Sequence, residues 1–209
     1  MSMEMEIFVV GPIDVNCYVI SDSETRHGMV IDPGGSGEKI LRCLEQDQVQ
    51  LDMIVNTHAH ADHIGAVDFL REKTGAPLCV HELEAPLLID SRKNLSAFMG
   101  YDFVTKPADR YLQDDEEIRI GNLSFRVIAT PGHSPGGICL YGEGALFSGD
   151  SLFQGSIGRC DFPGSSEADL VRNLLTRILP LPGETKVFPG HGPASSIAWE
   201  KKYNPYLVR

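Results

Sequence analysis

The stretch Met53-Ile54-Val55-Asn56-Thr57-His58-Ala59-His60-Ala61-Asp62-His63-Ile64-Gly65 decides the fold of this chain. The run Met53–Asn56 that opens it is short, largely apolar and partly β-branched, the pattern of a short buried strand. After it, Ile64, Val67 and Leu70 recur every three residues, as on one face of a helix. The segment between them therefore reads as a strand-to-helix turn, with Asp62 placed to cap the helix. Four potential metal ligands, His58, His60, Asp62 and His63, fall within six residues of that turn. Clustered imidazoles suffer when a neighbour becomes protonated. A shared metal removes the conflict, because it holds neutral imidazoles beside an ionised carboxylate. Chance histidines in a polar loop are the plainer alternative, but three of the chain's seven histidines stand in this one turn.

Three later places repeat one local grammar: an apolar strand, small turn residues, then a metal-type ligand. They end at His133 (Val127–His133), at Asp150 (Ala145–Asp150) and at His191 (Val187–His191). The glycine before each ligand allows a sharp turn where a Cβ would obstruct it. Each piece alone is most often just a turn; ligands at four strand ends are harder to attribute to chance. The candidate set is then five histidines (His58, His60, His63, His133, His191) and two aspartates (Asp62, Asp150). Seven ligands exceed what one tetrahedral ion uses, which implies a two-metal site or a one-metal site with spares. Nitrogen and oxygen donors suit zinc, iron or manganese, and the lack of a thiolate removes the zinc-finger reading. His27, in a charged turn, is expected to be solvated, and His81 to sit at the surface or cap a turn.

The bulk composition narrows the rest. A length of 209 residues suits one domain spanning 1–209, and 42% hydrophobic with 22% charged residues is ordinary for a globular protein. No run approaches the ~18 apolar residues of a membrane span. The start, Met1-Ser2-Met3-Glu4-Met5-Glu6, lacks the basic flank and apolar centre of a signal peptide, so a cytoplasmic location is expected. A net charge of -11 argues against a broad nucleic-acid surface, which needs lysine and arginine to displace counterions. The five cysteines are scattered and odd in number, which is no disulfide framework; Cys17, Cys79 and Cys139 read as small buried apolar residues, and Cys160 as structural.

Along the chain, Ile7–Val10 and Asn16–Ile20 read as strands joined at Gly11-Pro12, and Met29–Ile31 as a strand ending in Asp32-Pro33-Gly34-Gly35. A helix follows from Ser36 or Gly37. Leu78–Val80 reads as a strand, and His81 to about Ile89 as a short helix. The strongest hairpin signal lies at 117–128 around Gly121-Asn122, with a second around Gly142-Glu143-Gly144. Ser166 with Asp169 opens a further helix that Pro180 stops, and Lys186–Phe188 is the last strand. The segment 91–108 carries Phe98, Met99, Tyr101 and Phe103 without periodicity, so it must cover the core, a partner or a pocket. Each half runs strands and then helix, which fits two packed sheets with helices outside.

His58-x-His60-x-Asp62-His63, followed in order by His133, Asp150 and His191, resembles the metallo-β-lactamase superfamily, with landmarks from Asp32 to His191. That resemblance implies an α/β fold, a four-layer αββα sandwich with two divalent ions at one edge between the sheets. Thr130-Pro131-Gly132-His133-Ser134-Pro135-Gly136 and Gly149-Asp150-Ser151-Leu152-Phe153 resemble the hydroxyacylglutathione hydrolases (glyoxalase II) and their short relatives. By that likeness His58, His60 and His133 hold one metal, Asp62, His63 and His191 the other, and Asp150 bridges them. The activity implied is metal-assisted hydrolysis of a small acyl thioester or ester, with Asp62 orienting the nucleophile and handling its proton. The chain departs from glyoxalase II in three ways. Little sequence follows His191, so the helical glutathione-binding domain is not expected. The tyrosine usual after the last histidine is absent, and Arg159 stands where a lysine is usual. Arg159 either grips a substrate carboxylate or pairs with Asp161 or Glu167 to pin its loop. A mononuclear iron persulfide dioxygenase, using His58, His133 and Asp150, is the alternative enzyme of the same resemblance. A β-lactamase or a nuclease fits less well.

Overall fold

Alternation along the strands sets the layers. In a computed structural model that describes residues 2–208, β1 (Met3–Val10), β2 (Val15–Asp22) and β3 (His27–Ile31) pair antiparallel. The chain then crosses through α1 (Gly37–Gln46) to β4 (Gln50–Val55), and through α2 (Ala61–Ile64) and α3 (Val67–Thr74) to β5 (Leu78–His81). A 3-10 turn (Glu82–Glu84), α4 (Ala85–Leu88) and a second 3-10 turn (Ser96–Met99) lead to β6 (Arg110–Leu112). β3 to β6 run parallel, so the first sheet has the order β1-β2-β3-β4-β5-β6. The second half supplies β7 (Glu117–Ile120), β8 (Leu123–Ala129), β9 (Ile138–Gly142) and β10 (Ala145–Gly149). A small ribbon of β11 (Leu152–Phe153) and β12 (Ser156–Ile157) comes next, then α5 (Glu167–Asn173), which continues as a π-turn over Leu174–Ile178. β13 (Lys186–Pro189), β14 (Ser195–Ser196) and α6 (Ile197–Tyr203) close the chain, and the second sheet has the order β14-β13-β10-β9-β8-β7.

Period-two alternation on β2 sends Cys17 and Val19 to one face and Tyr18 and Ile20 to the other, and the whole strand is buried. Cys17, Val30, Ile54 and Leu78 pack against Ile40 and Leu44 of α1 and Val67 and Leu70 of α3. Tyr18, Ile20, Met29, Ile31 and Val55 face Ile118, Phe125, Val127, Leu140 and Phe147 of the second sheet. The far face of that sheet, with Ile128, Cys139, Leu146 and Val187, is covered by Leu170, Leu174, Ile178 and Ile197. Three apolar layers thus separate four layers of secondary structure, the αββα sandwich expected from the sequence. Both hairpins form as read, with Gly121 at φ +55° in the first turn. Ser166 caps α5 by accepting from the Asp169 N–H.

Four local expectations need correction. Asp62 caps nothing: His60 occupies the N-cap position, and Asp62 lies inside the first turn of α2. The helix after the ligand turn is broken between α2 and α3 at Gly65-Ala66, although Ile64, Val67 and Leu70 are all fully buried as their spacing suggests. His27 is not a free turn residue; it opens β3, and its Nδ1 lies 2.8 Å from an Asp52 carboxylate oxygen on β4. Lys186–Phe188 is not the last strand, because β14 and α6 follow His191. His81 does cap a turn, its Nδ1 accepting from the Leu83 N–H at 3.3 Å. All five cysteines are free thiols, with Cys17, Cys79 and Cys139 buried.

Candidate metal centre

All seven predicted residues converge at one edge of the sandwich, where strands of both sheets end. His58, His60, Asp62 and His63 leave β4 of the first sheet. His133, Asp150 and His191 leave β8, β10 and β13 of the second. Ligand atoms of His58, His60 and His133 lie within 4.8 Å of one another, and so do those of Asp62, His63 and His191. His60 Nδ1 stands 3.0 Å from His133 Nε2, close to the about 3.3 Å that two nitrogens show across a tetrahedral zinc ion. His191 Nε2 and His63 Nε2 lie 3.2 and 3.4 Å from Asp62 Oδ2. Asp150 sits between the two groups: Oδ1 is 3.4 Å from His63, and Oδ2 is 3.6 Å from His133 and 3.7 Å from His191.

The electrostatics divide the cluster in two. Burial, and then the neighbouring imidazoles, push the His58 ring well below its ordinary pKa and bring His60 to about 3, so both are neutral donors with free lone pairs. On the other side burial opposes charge, yet the carboxylates win. Asp62 and Asp150 are held below the usual carboxylate range by His63, His191 and His133, and His63 and His191 are raised in turn. This second half demands positive charge, which either protons or a divalent ion can supply. Buried His58 Nε2, His63 Nε2 and Asp150 Oδ1 lack a hydrogen-bond partner, a cost of about 1–3 kcal/mol each that coordination to a cation offsets. The donor set and its orphaned atoms fit metal ions.

The supporting shell explains the local sequence. The Asp32 carboxylate accepts from the Thr57 N–H and hydroxyl, both at 2.7 Å, and its Oδ2 lies 3.1 Å from His63 Nδ1. Gly34 packs on the ligand turn so closely that a Cβ there would stand 1.7 Å from the Asp62 carbonyl oxygen. His133 Nδ1 donates to the Arg159 carbonyl at 2.7 Å, which turns its Nε2 toward His60. The first sheet reaches across to the last ligand. Tyr18 donates through its hydroxyl to the Pro189 carbonyl at 2.6 Å, and the Asn16 N–H donates to Gly190 at 2.7 Å.

Sequence reasoning missed one residue. Glu84 is fully buried. One oxygen accepts from the Ala59 N–H at 2.8 Å and the other from the Gly136 N–H at 2.6 Å. It therefore ties the loop of His58 and His60 to the loop of His133. Its only sequence signal was an acidic residue among the apolar neighbours Leu83, Ala85, Leu87 and Leu88.

A cavity of about 690 Å³ opens over the cluster, lined by His60, Asp62, His133, Asp150 and His191 and by apolar side chains around them. The irregular segment after Ser91 supplies Leu95, Phe98 and Met99 to that wall. It is tied to the ligand turn where the Ala61 N–H donates to the Asn94 carbonyl at 2.8 Å. Arg159 also lines the cavity, paired with Asp161 at 2.7 Å, the loop-pinning alternative of the sequence reading. Among the described residues no helix is long and apolar enough to cross a membrane.

Comparison with known proteins agrees with this geometry. A probable metallo-hydrolase, YqgX of Bacillus subtilis, is 40% identical over 95% of this chain and 94% of its own length. The hydroxyacylglutathione hydrolase GloC of Haemophilus influenzae is 32% identical, covering 98% of each chain. The crystal structure of the B3 metallo-beta-lactamase BLEG-1 superposes with a TM-score of 0.94 at 40% identity, covering 99% of this chain and 100% of that one. The sequence profile of the metallo-beta-lactamase superfamily matches residues 10–191. With that match spanning every residue of the cluster, the chain belongs to the metallo-beta-lactamase superfamily of metallo-hydrolases.

Proposed function

We propose that this protein hydrolyses small acyl thioesters or related esters. His58, His60 and His133 hold one divalent ion, Asp62, His63 and His191 hold a second, and Asp150 lies between them. Zinc is the expected ion, with iron or manganese as alternatives. One observation carries the reading: two three-residue groups of ligand atoms, each within 4.8 Å, flank an aspartate beneath one cavity that His60, Asp62, His133, Asp150 and His191 line. When bound, such a pair of ions polarises an acyl carbonyl and lowers the pKa of water to about 7.

The chain's own residues do the rest. Asp62 lines the cavity as an ionised carboxylate, so it accepts a hydrogen bond from the attacking water and takes its proton as the C–O bond forms. The C–S bond then breaks and the thiolate leaves through the cavity mouth. Asp32 and the Arg159 carbonyl keep the imidazoles oriented, and the apolar wall limits access of bulk water.

The test is metal content and thioester turnover measured together, with S-lactoylglutathione and a short neutral thioester as substrates. Two ions per chain and hydrolysis are expected, and Asp150→Ala loses both. A variant that keeps both refutes the scheme. One tightly bound iron with oxygen uptake on a persulfide points instead to the dioxygenase alternative. The likeness to BLEG-1 favours β-lactam hydrolysis as a second reading, which a chromogenic cephalosporin assay tests directly.

A further inference from the structure

The side chains around the cluster say more about the substrate than the ligands do. Ile13, Leu95, Phe98, Met99, Phe153 and Phe162 form most of the wall. Phe162 stands edge-on to His60 at 5.6 Å and to His133 at 6.0 Å, while Phe153 faces His191 at 6.2 Å. Apolar rings therefore flank both halves of the cluster. Phe98 is 73% exposed and Met99 40%, so apolar surface at the mouth awaits cover from whatever enters. The wall is built, not incidental. Leu95 is held at φ +72°, a conformation that branched side chains rarely adopt, and Asn94 beside it is fully buried. Asn94 fixes the segment by donating to the Phe103 carbonyl at 2.8 Å and accepting from the Ser96 N–H at 3.0 Å.

Charge is scarce on the same wall. Among the described lining residues, Arg159 is the only cation outside the histidine cluster, and Asp161 the only further anion. They are spent on each other: Arg159 Nε lies 3.0 Å and Nη2 2.7 Å from the two Asp161 oxygens, and the guanidinium stacks over Phe162 at 4.7 Å. Both side chains are exposed, so the pair is weak and can open. Opening it does not create a site for an anion, because the Asp161 carboxylate remains in the wall and repels one. The net charge of -11 opposes anionic substrates at longer range.

We infer that the substrate is an apolar acyl thioester of an uncharged thiol, and that the Arg159–Asp161 wall discriminates against carboxylate-bearing thiols such as glutathione. This rests on the thioesterase reading above. Water adds to the acyl carbon, the C–S bond breaks, and the products are an apolar carboxylic acid and a neutral thiol. No other reactant is needed.

The test compares kcat/KM for acetyl, butyryl and hexanoyl thioesters of N-acetylcysteamine, which is neutral, with the same acyl groups on glutathione. The metal-loaded wild type and Asp161→Asn are both measured. For the neutral series, kcat/KM rises with acyl length, by up to about fourfold per methylene where burial is complete. The glutathione series is at least about tenfold lower at each length, and Asp161→Asn narrows that ratio at least about threefold. A glutathione ester that matches its neutral counterpart overturns the inference alone, as does a response flat in acyl length or a ratio that Asp161→Asn leaves unmoved. No turnover of any thioester by fully metal-loaded protein overturns the hydrolase reading, and this inference with it.

Discussion

Replacing Glu84 by glutamine separates a residue that shapes one ion site from one that only staples the fold. The carboxylate accepts two buried backbone N–H groups, at 2.8 and 2.6 Å, and bonds to a charged acceptor contribute about 1.5–3 kcal/mol each. Glutamine keeps one acceptor oxygen and turns its NH2 toward the other N–H. One bond is lost and a buried donor is left unpaired, at about 1–3 kcal/mol. Part of this is returned, because burial pushes the Glu84 carboxyl up and glutamine carries no charge to bury. The net loss is about 1–2 kcal/mol, which lowers the thermal midpoint by about 2–8 °C in a chain of this length. The loops that slacken are those of Ala59 and Gly136, which directly border His58, His60 and His133, whereas His191 follows β13. Metal titration with chelator competition should therefore show the first site weakened about tenfold to a hundredfold and the second unchanged. Equal loss at both sites, or a full fall in midpoint with both affinities intact, refutes the reasoning.

Two further predictions follow from single contacts. Asp22 accepts from the Asn122 N–H at 2.8 Å, the Thr25 hydroxyl at 2.9 Å and the Glu24 N–H at 3.0 Å, and these bonds lower its pKa to about 2. Because the folded value lies below the unfolded one of about 3.9, its contribution is present above about pH 4 and fades as pH falls through about 2. In urea unfolding, Asp22→Asn should be clearly destabilised near neutral pH and approach the wild type near pH 2; a constant difference refutes the linkage. Gly190→Ala puts a Cβ 2.3 Å from Asp150 Oδ1 and 2.8 Å from His63 Cε1, so ion content should fall by at least one per chain while the circular dichroism spectrum is kept. Full occupancy in that variant refutes the close packing described.

Much of this architecture could be read from local pattern. Period-two runs such as Leu123–Val127 mark strands because one sheet face is buried and the other differs, and the Gly-Asn and Gly-Glu-Gly turns set the hairpins. The cluster was legible for the same reason: each run of ligands begins within a few residues of a strand's end, and strand ends of two packed sheets meet at an edge. What escaped depends on tertiary juxtaposition. Glu84 acts on residues 25 and 52 positions away in the chain, and nothing local announces either bond. Asp32 read as part of a turn, whereas its role is to accept from Thr57 and to face His63. β14 and α6 follow His191 with too little periodicity to be read. Asp62 looked like a helix cap because aspartate before an apolar face usually is one; here the carboxylate faces His63 and His191 instead.

Both proposed ion groups take members from both sheets: His58 and His60 with His133, and Asp62 and His63 with His191. An ion in either group is thus a rivet through two plates. The plates cannot part at this edge without shedding the ion, so breathing of the sandwich and loss of metal are one event. Occupancy then sets how readily the layer beneath the cavity, with Tyr18 and Phe147 at its centre, opens to water or a protease. With ions held there as proposed, removing them should speed proteolysis at this edge.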